Sequence, residues 1–430
     1  MQKPWRRSGL GELGRVLGVA LLVALAIELV YVLGATLILR AHLLERWLNS
    51  DPDDLSVRFD SAWSFVPGEV KVRGLRVRVQ DSNVQFLLTI DEANASIALF
   101  ELMQRRFHVT EVEAKGTRFS MRNRFEDVAG QELRARAYPP IEGFADPPLK
   151  GWKVPHRKLG AQPFQIEIER VDAEVLELWI LEYRYEGPAR ARGGFRLIPR
   201  ERVRVGPAEL ELAGGKLWFG KDRPLAEPLK ATLRCRLEDF DVRATHGWHV
   251  FDHVSAKGSL AASIRGLEST RAYLHGSAVT VGAGAGTLSA DLGLDKGRFL
   301  PGSRATYRSA RIEFSKAPAR LTGDVSLTLK VEERDRHPLG SLSVSAEKIE
   351  VQVHERLGKL QPAEITGMKM NLATRQLRLS ETWKMAALDL AIPQAKVPDA
   401  RLLTALAGNP KSFSVERGSA AAAARARLDS

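Results

Sequence analysis

One cysteine, Cys235, is all the thiol chemistry in these 430 residues. A lone cysteine closes no intramolecular disulfide and builds no Cys-rich zinc site, which excludes a stapled scaffold and a zinc ribbon. Helical periodicity is almost absent beyond the first forty residues, so a helical bundle is excluded as well. No GxSxG elbow, Walker A loop or HExxH motif occurs. The composition, 44% hydrophobic and 27% charged, is globular and rules out collagen-like, mucin-like and mostly disordered chains. The length allows roughly two to four domains, or one large β structure. What stands in excess is positive charge: 64 lysines and arginines against 52 acidic residues, a formal +12. Nucleic acid is the obvious partner for such a charge, and the N-terminal segment argues against it.

Val16 to Leu39 is almost continuously apolar, and 24 residues rise about 36 Å as a helix, enough to cross a bilayer core with some tilt. The apolar region of a cleavable signal peptide is only about 7–15 residues long, and no small-x-small cleavage site follows. The segment reads as an uncleaved signal anchor. Lys3, Arg6, Arg7 and Arg15 precede it against Glu12 alone, whereas Asp51, Asp53 and Asp54 follow. The positive-inside rule then leaves residues 1–15 in the cytosol and carries the chain beyond Arg40 across the membrane. Glu28 lies mid-span, either as a carboxyl that the long apolar run tolerates or as a contact with another membrane protein. Ala41 to Leu48 continues as a short amphipathic helix, with Trp47 near the headgroups.

From Leu55 onward the dominant period is two. Val70, Val72, Leu75, Val77 and Val79 alternate with basic residues and slip once at Gly74. Phe86, Leu88 and Ile90 make a second strand, and Ala93, Ala95, Ile97 and Leu99 a third, with Asp91-Glu92 as the turn between them. Later strands include Phe164 to Ile168, Val203 to Val205, Leu210 to Leu212, Leu217 to Phe219, and Leu233, Cys235 and Leu237 between Arg234 and Arg236. Val325, Leu327 and Leu329 follow, then Ile349 to Val353 and Met368 to Leu372. The predicted fold is mainly β: one transmembrane helix, then an elongated, curved, mostly antiparallel sheet with a few short helices. Its divisions are 1–15 (cytosolic), 16–39 (anchor), 50–125 (first β region), 126–163 (an insertion or linker with six prolines) and 164–430 (repeated strands). Gly276 to Gly302, rich in Gly, Ala and Ser, is a second soft region.

Two short helices sit between strands in a similar way. Leu99 to Arg106 is followed by Phe107-His108-Val109 and Gly116. Asp399 caps a helix through Leu406, followed by Phe413-Ser414-Val415 and Gly418. A repeated strand–helix–strand unit points to a solenoid-like assembly. In this layout the chain resembles the AsmA-like family of diderm bacteria, related to TamB and the repeating β-groove lipid-transfer proteins. The resemblance rests on the anchor, on Phe59 to Val79, on Ala93 to Gly116 and on Ile392 to Ala420, whereas the middle matches in strand pattern alone. It implies an inner-membrane protein whose bulk is periplasmic, with an apolar β-groove that handles phospholipid between membranes or maintains the outer membrane. The chain is shorter than the relatives associated with that role.

An alternating sheet must cover its apolar side with protein, another sheet or lipid. Alternation alone fits an ordinary sandwich core, and the resemblance implies a trough for acyl chains; both readings stay open here. The candidate lining residues are Val70, Val72, Leu75, Val77, Val79, Phe86, Leu88, Ile90, Leu233, Leu237, Leu327 and Leu329. A non-transporting envelope scaffold that docks partners through its sheet is the alternative function. No enzymatic role, cofactor or metal is expected. His246, His249 and His253 with Asp252 form the one histidine cluster, but Val250 stands where a zincin helix needs its glutamate, and the segment reads as strand and turn. Gly282 to Gly286 (GAGAG) lacks the strand–turn–helix setting of a dinucleotide loop and reads as a turn or flexible strand. Glu167 and Glu169 share a solvated strand face, and Cys235 faces the core. Residues 1–15 carry +3 and residues 16–40 carry zero, leaving +9 beyond the membrane. There the partner for such charge is anionic lipid and not nucleic acid.

Overall fold

The computed structural model describes residues 34, 49, 55–80, 83–102, 104–150, 165–198, 201–242, 244–245, 247–273, 280–334, 337–353, 360–375, 377–381, 385–406 and 417–429. The span expected at Val16 to Leu39 lies outside these residues apart from Gly34, as do Glu28 and Trp47. Among the described residues no helix is long and apolar enough to cross a membrane.

Among the described residues nineteen strands form one sheet. They are β1 (Leu55–Arg58), β2 (Ser61–Trp63), β3 (Glu69–Gln80), β4 (Val84–Ile97), β5 (Arg106–Asn123), β6 (Gln165–Ile180), β7 (Tyr183–Ile198), β8 (Arg202–Phe219), β9 (Arg223–Asp241) and β10 (Val254–Ile264). The second half comprises β11 (Thr280–Val281), β12 (Ala285–Asp295), β13 (Arg298–Phe299), β14 (Arg304–Lys316), β15 (Ala319–Arg334), β16 (His337–Val353), β17 (Ala363–Thr374), β18 (Met385–Val397) and β19 (Ala420–Asp429). Three short helices interrupt them: α1 (Leu99–Leu102), α2 (Glu132–Ala137) and α3 (Arg401–Leu406). Asp399 caps α3 by accepting the Arg401 N–H at 3.1 Å. Neighbours in sequence are neighbours in space, with β1 and β2 flanking β3 at one edge and β19 beside β18 at the other. No pairing between described residues joins these two edges, so the sheet is open. Among the described residues every strand pairing is antiparallel except β5 with β6, and the isolated bridge Phe125–Leu149 is parallel too.

The strands are longer than the alternation suggests. Phe86 to Ile90 and Ala93 to Ile97 are one strand, β4, and Asp91-Glu92 is no turn. Val203 to Phe219 is likewise one strand, β8. Breaks in the period mark places where the chain changes which side chains face the apolar side without turning back. On β3 the apolar positions step from Val72 to Leu75 across Gly74, and on β5 from Ala114 to Thr117 across Gly116. These interruptions line up. The line runs through Gly74, Asp91 and Gly116, past Leu176, Gly187 and Gly214, to Pro228 and Ser263. It continues at Arg311, Asp324, Gly367 and Pro393 and ends at Ala423, so one seam crosses the sheet from β3 to β19. The GAGAG run sits on it, with Gly282 to Gly284 between β11 and β12 opposite Arg311. Each such interruption bends its strand and increases its twist. Proline is tolerated on the seam because a bulged residue needs no ladder hydrogen bond. Glycine is required at Gly187, whose φ is +147° and where an added Cβ would lie 2.6 Å from the Cα of Gly215.

The parallel pair β5–β6 demands a crossover, and its described part, residues 124–150, lies on the polar face. Arg122 projects from that face of β5, in register with Gln85, and is fully buried beneath the segment. Its guanidinium donates to Gln85 Oε1 at 2.8 Å, Pro139 O at 2.9 Å and Ala145 O at 3.0 Å, and pairs with Asp146. Trp179, also on the polar face, donates its indole N–H to Ala137 O at 3.3 Å. Arg78 stacks over the Phe144 ring at 4.9 Å. Phe125 stacks on Tyr138, whose hydroxyl is pushed up to about 12 by burial. At the β6–β7 turn, buried Glu182 accepts Arg134 Nε at 3.2 Å and the Tyr273 hydroxyl, fastening two covering segments to the strand ends.

Candidate functional site

All twelve candidate apolar residues project from one face of the sheet. On β3 and β4 they meet as register pairs: Leu75 with Ile90, Val77 with Leu88 and Val79 with Phe86. Val70 and Val72 face Ala95 and Ala93 on the same side. The row through Val77 and Leu88 continues through Phe119, Leu178, Tyr185 and Leu217. Leu233 on β9 pairs with Leu210, and Leu237 with Val205. Leu327 and Leu329 on β15 pair with Tyr307 and Ala305 on one side and with Val344 and Leu342 on the other. The twelve do not converge on one pocket. Five strand steps separate β4 from β9 and four separate β9 from β15, roughly 24 Å and 19 Å at about 4.8 Å per step. The alanines that join the groups, among them Ala114, Ala173 and Ala191, escape a reading that weighs large apolar residues, though they sit on the same period.

Coverage of this face is uneven. Leu402 of α3 is fully buried, in one cluster with Ile349, Val351 and Ala363. Leu377 packs with Phe299 and Val331 at the opposite strand ends. Between these places two further clusters are buried, Ile90 with Ala93, Ala114, Ala173 and Val175, and Tyr185 with Ala226, Leu229 and Ala262. Of the twelve candidates only Ile90 is buried; ten are half-buried and Leu233 is 37% exposed. Inward residues of a closed sandwich, filling a core between two sheets, would be largely buried. Cys235 lies on this face between Ala208 and Ala256, half-buried, and burial pushes its thiol pKa up.

The opposite face is a lattice of cross-strand ion pairs. Arg73 meets Glu92 at 3.2 Å, Arg234 meets Glu209 at 2.9 Å, and Lys348 meets Glu364 at 2.8 Å. Arg190 binds Asp172 through two nitrogens, at 2.7 and 2.6 Å. A concavity of about 650 Å³ opens among Arg190, Glu209, Arg234, Lys257 and Asp291, and Leu210, Leu233, Leu292 and Leu300 line it as well. It therefore borders the apolar rows at the Leu210–Leu233 register pair. The histidine segment is a 3-10 helix, Gly247–His253, not the expected strand and turn. His249 pairs with Asp252 at 3.2 Å and His253 stacks on Phe240 at 5.0 Å, while His246 lies outside the described residues. Among the described residues no group of three metal-ligating side chains gathers.

Glu167 and Glu169 project from the polar face and bind β5. Glu167 accepts Arg106 at 2.9 Å, and Glu169 lies 2.9 Å from His108 Nε2. His108 Nδ1 lies 2.9 Å from Glu101 of α1. The Glu101 hydrogen bond raises the His108 pKa above its ordinary 6.5; burial opposes the shift and Glu169 adds to it. This clamp contributes fully below the unfolded value of about 6.5 and is lost as pH rises through the higher folded one. The ring should therefore titrate above 6.5 by NMR. The stability gap between the wild type and His108→Gln should shrink as pH rises through that value; a gap that grows would refute the clamp.

Compared with protein-family models, curated proteins and solved structures, the chain matches none.

Proposed function

We propose that this chain is a membrane-anchored envelope protein of the AsmA-like type, which holds phospholipid acyl chains on the apolar face of its sheet. The reading rests on one observation: an apolar face that continues from β3 to β19 and on which eleven of the twelve candidate residues keep part of their surface exposed, while the crossover packs on the other side. A bulge seam that crosses the sheet at one height curves it along its length, making a trough of the apolar face. Fourteen strand steps from β3 to β19 at about 4.8 Å give it a length of roughly 67 Å, against about 15 Å for the acyl region of one leaflet. Burial contributes about 0.8 kcal/mol per methylene, so two acyl chains are retained without a polar pocket while the headgroup stays in water. Residues 16–39 hold the protein in the inner membrane, the first fifteen residues are cytosolic and the sheet is periplasmic. Moving phospholipid between membranes, or maintaining outer-membrane composition, is the role that follows.

The test is native mass spectrometry of the full chain released from mild detergent. Phospholipid is expected on the wild type and at lower occupancy on Val77→Asp, with the far-ultraviolet β signal unchanged between them. A wild type that carries no lipid, or a Val77→Asp chain that simply unfolds, would sink the reading in favour of ordinary core.

A further inference from the structure

The two most exposed large apolar side chains among the described residues are Phe100, at 85%, and Phe65, at 64%. They are far apart in sequence and meet at one end of the first strands. Phe65 stands with exposed Val66 in the turn between β2 and β3, and Phe100 with exposed Leu99 in α1. The two places adjoin because Glu69 pairs with Ser96 and the Ile97 N–H donates to Gly68 O at 2.7 Å. The turn itself is fixed. Buried Ser64 donates its hydroxyl to Val66 O at 3.1 Å, and the same carbonyl accepts the Glu69 N–H at 2.9 Å. Gly68, at φ +86°, sits so close to β4 that an added Cβ would lie 2.8 Å from Ile97 O. Phe65 and Val66 are therefore held outward by a built loop. Val70 and Val72, which open the apolar row of β3, follow directly after it.

Shape and tether select what covers this tip. Its rings project from a turn and a four-residue helix, so a protein partner would need a pocket for each, whereas a bilayer accepts a protruding ring anywhere on its surface. At the neighbouring edge the backbone of Val57 is already satisfied. Asn49 lays its side-chain amide against it, accepting the N–H at 2.6 Å and donating to the carbonyl at 2.9 Å, as a peptide group would. Charge does not decide: residues 61–73 and 96–106 hold Lys71, Arg73, Arg105 and Arg106 against Glu69 and Glu101. Of these, Arg73 already meets Glu92, and Arg106 meets Glu101 and Glu167. The tether does decide. Ten residue steps lead from Leu39, where the apolar run ends, to Asn49, a reach of at most about 35 Å. The amphipathic pattern of residues 41–48 lays that stretch along the headgroups, which keeps Asn49 near the surface. Val57 pairs with Val77 and Trp63 with Lys71, six residues apart on β3, so the turn begins only about 20 Å from the Asn49 contact. We infer that Phe65, Val66, Leu99 and Phe100 dip into the leaflet of the bilayer on the side where residues 16–39 leave it, which rests on that run being the membrane anchor. The β3 end of the apolar face is then set against the lipid it would load.

The test places nitroxide labels on the full chain, in a Cys235→Ala background, reconstituted into vesicles of phosphatidylethanolamine and phosphatidylglycerol. Phe65→Cys and Phe100→Cys carry labels at the tip. Lys330→Cys carries one on the polar face of β15, ten strand steps from β3. All three positions are exposed, so the fold tolerates the labels. Flotation with the vesicles reports the anchor, and relaxation by oxygen against a water-soluble nickel chelate reports the depth of each label. The labels at 65 and 100 should lie about 5–10 Å below the headgroup boundary, and the label at 330 in water. A chain that floats while the labels at 65 and 100 are as wet as that at 330 overturns the inference and leaves the anchor standing; a tip reserved for a protein partner gives this result. A chain that does not float overturns both. Equal immersion of all three labels, from a sheet lying flat on the membrane, overturns the inference as well.

Discussion

Leu233→Asp should lose about 100-fold in phospholipid retention while its unfolding midpoint stays within a few degrees of the wild type. The position is 37% exposed, in mid-sheet, with its Cα in register between Leu210 and Gly258, so the folded chain alone leaves a new carboxylate in contact with water. An acyl chain laid over it removes that water. The carboxyl must then be protonated, which near pH 7 costs about 4 kcal/mol for a group of ordinary pKa about 3.9. Lateral displacement of the lipid along the trough recovers part of that cost, which leaves roughly 2.7 kcal/mol, or 100-fold. Leu402→Asp is the control. Its side chain is fully buried under the apolar cluster of β16 and β17, so the same charge there removes the fold itself, by more than about 4 kcal/mol. Quantitative native mass spectrometry beside thermal unfolding separates the two. If Leu233→Asp unfolds as Leu402→Asp does, the face is a closed core.

Arg122→Met should destabilise the protein by about 3–5 kcal/mol, the largest effect expected of a polar side chain here. The guanidinium is fully buried and donates in several directions at once, to Gln85, Pro139, Ala145 and Asp146. Methionine fills much of the same volume and satisfies none of them. Gln85 is itself buried, so it and the Pro139 carbonyl are left without a donor, at about 1–3 kcal/mol each. Arg122→Lys should recover only part of the loss, because one ammonium cannot reproduce a planar fork. Urea unfolding gives the magnitude. Limited proteolysis gives the location: the first cuts in Arg122→Met should fall between residues 126 and 150. A variant of wild-type stability would mean that the crossover holds itself in place.

How far the sequence disclosed these features depended on periodicity. Period-two alternation finds most of the long strands and puts all twelve candidate residues on one face, because a strand has only two sides. It fails where bulges occur. Asp91 sits opposite Gly74 and Gly116 on the seam, and without those neighbours an Asp-Glu pair between two apolar runs has the composition of a turn. The parallel pairing of β5 with β6 is equally silent, since it depends on where residues 124–150 pack and hence on Arg122, which in sequence is one more arginine of an alternating strand. Asn49 guarding β1 is a tertiary contact across eight residues that no local pattern announces.

The seam bears on how a protein of this kind changes size. The seam keeps one height from β3 to β19, with a second line of bulges in β6 to β9, so outside that stretch neighbouring strands present the same bent profile to whatever comes next. A hairpin cut out or copied in leaves a junction that still matches, at about 9.6 Å of sheet per hairpin. Such a sheet can be lengthened or shortened in heredity by whole units, with its cross-section conserved and its span free to drift.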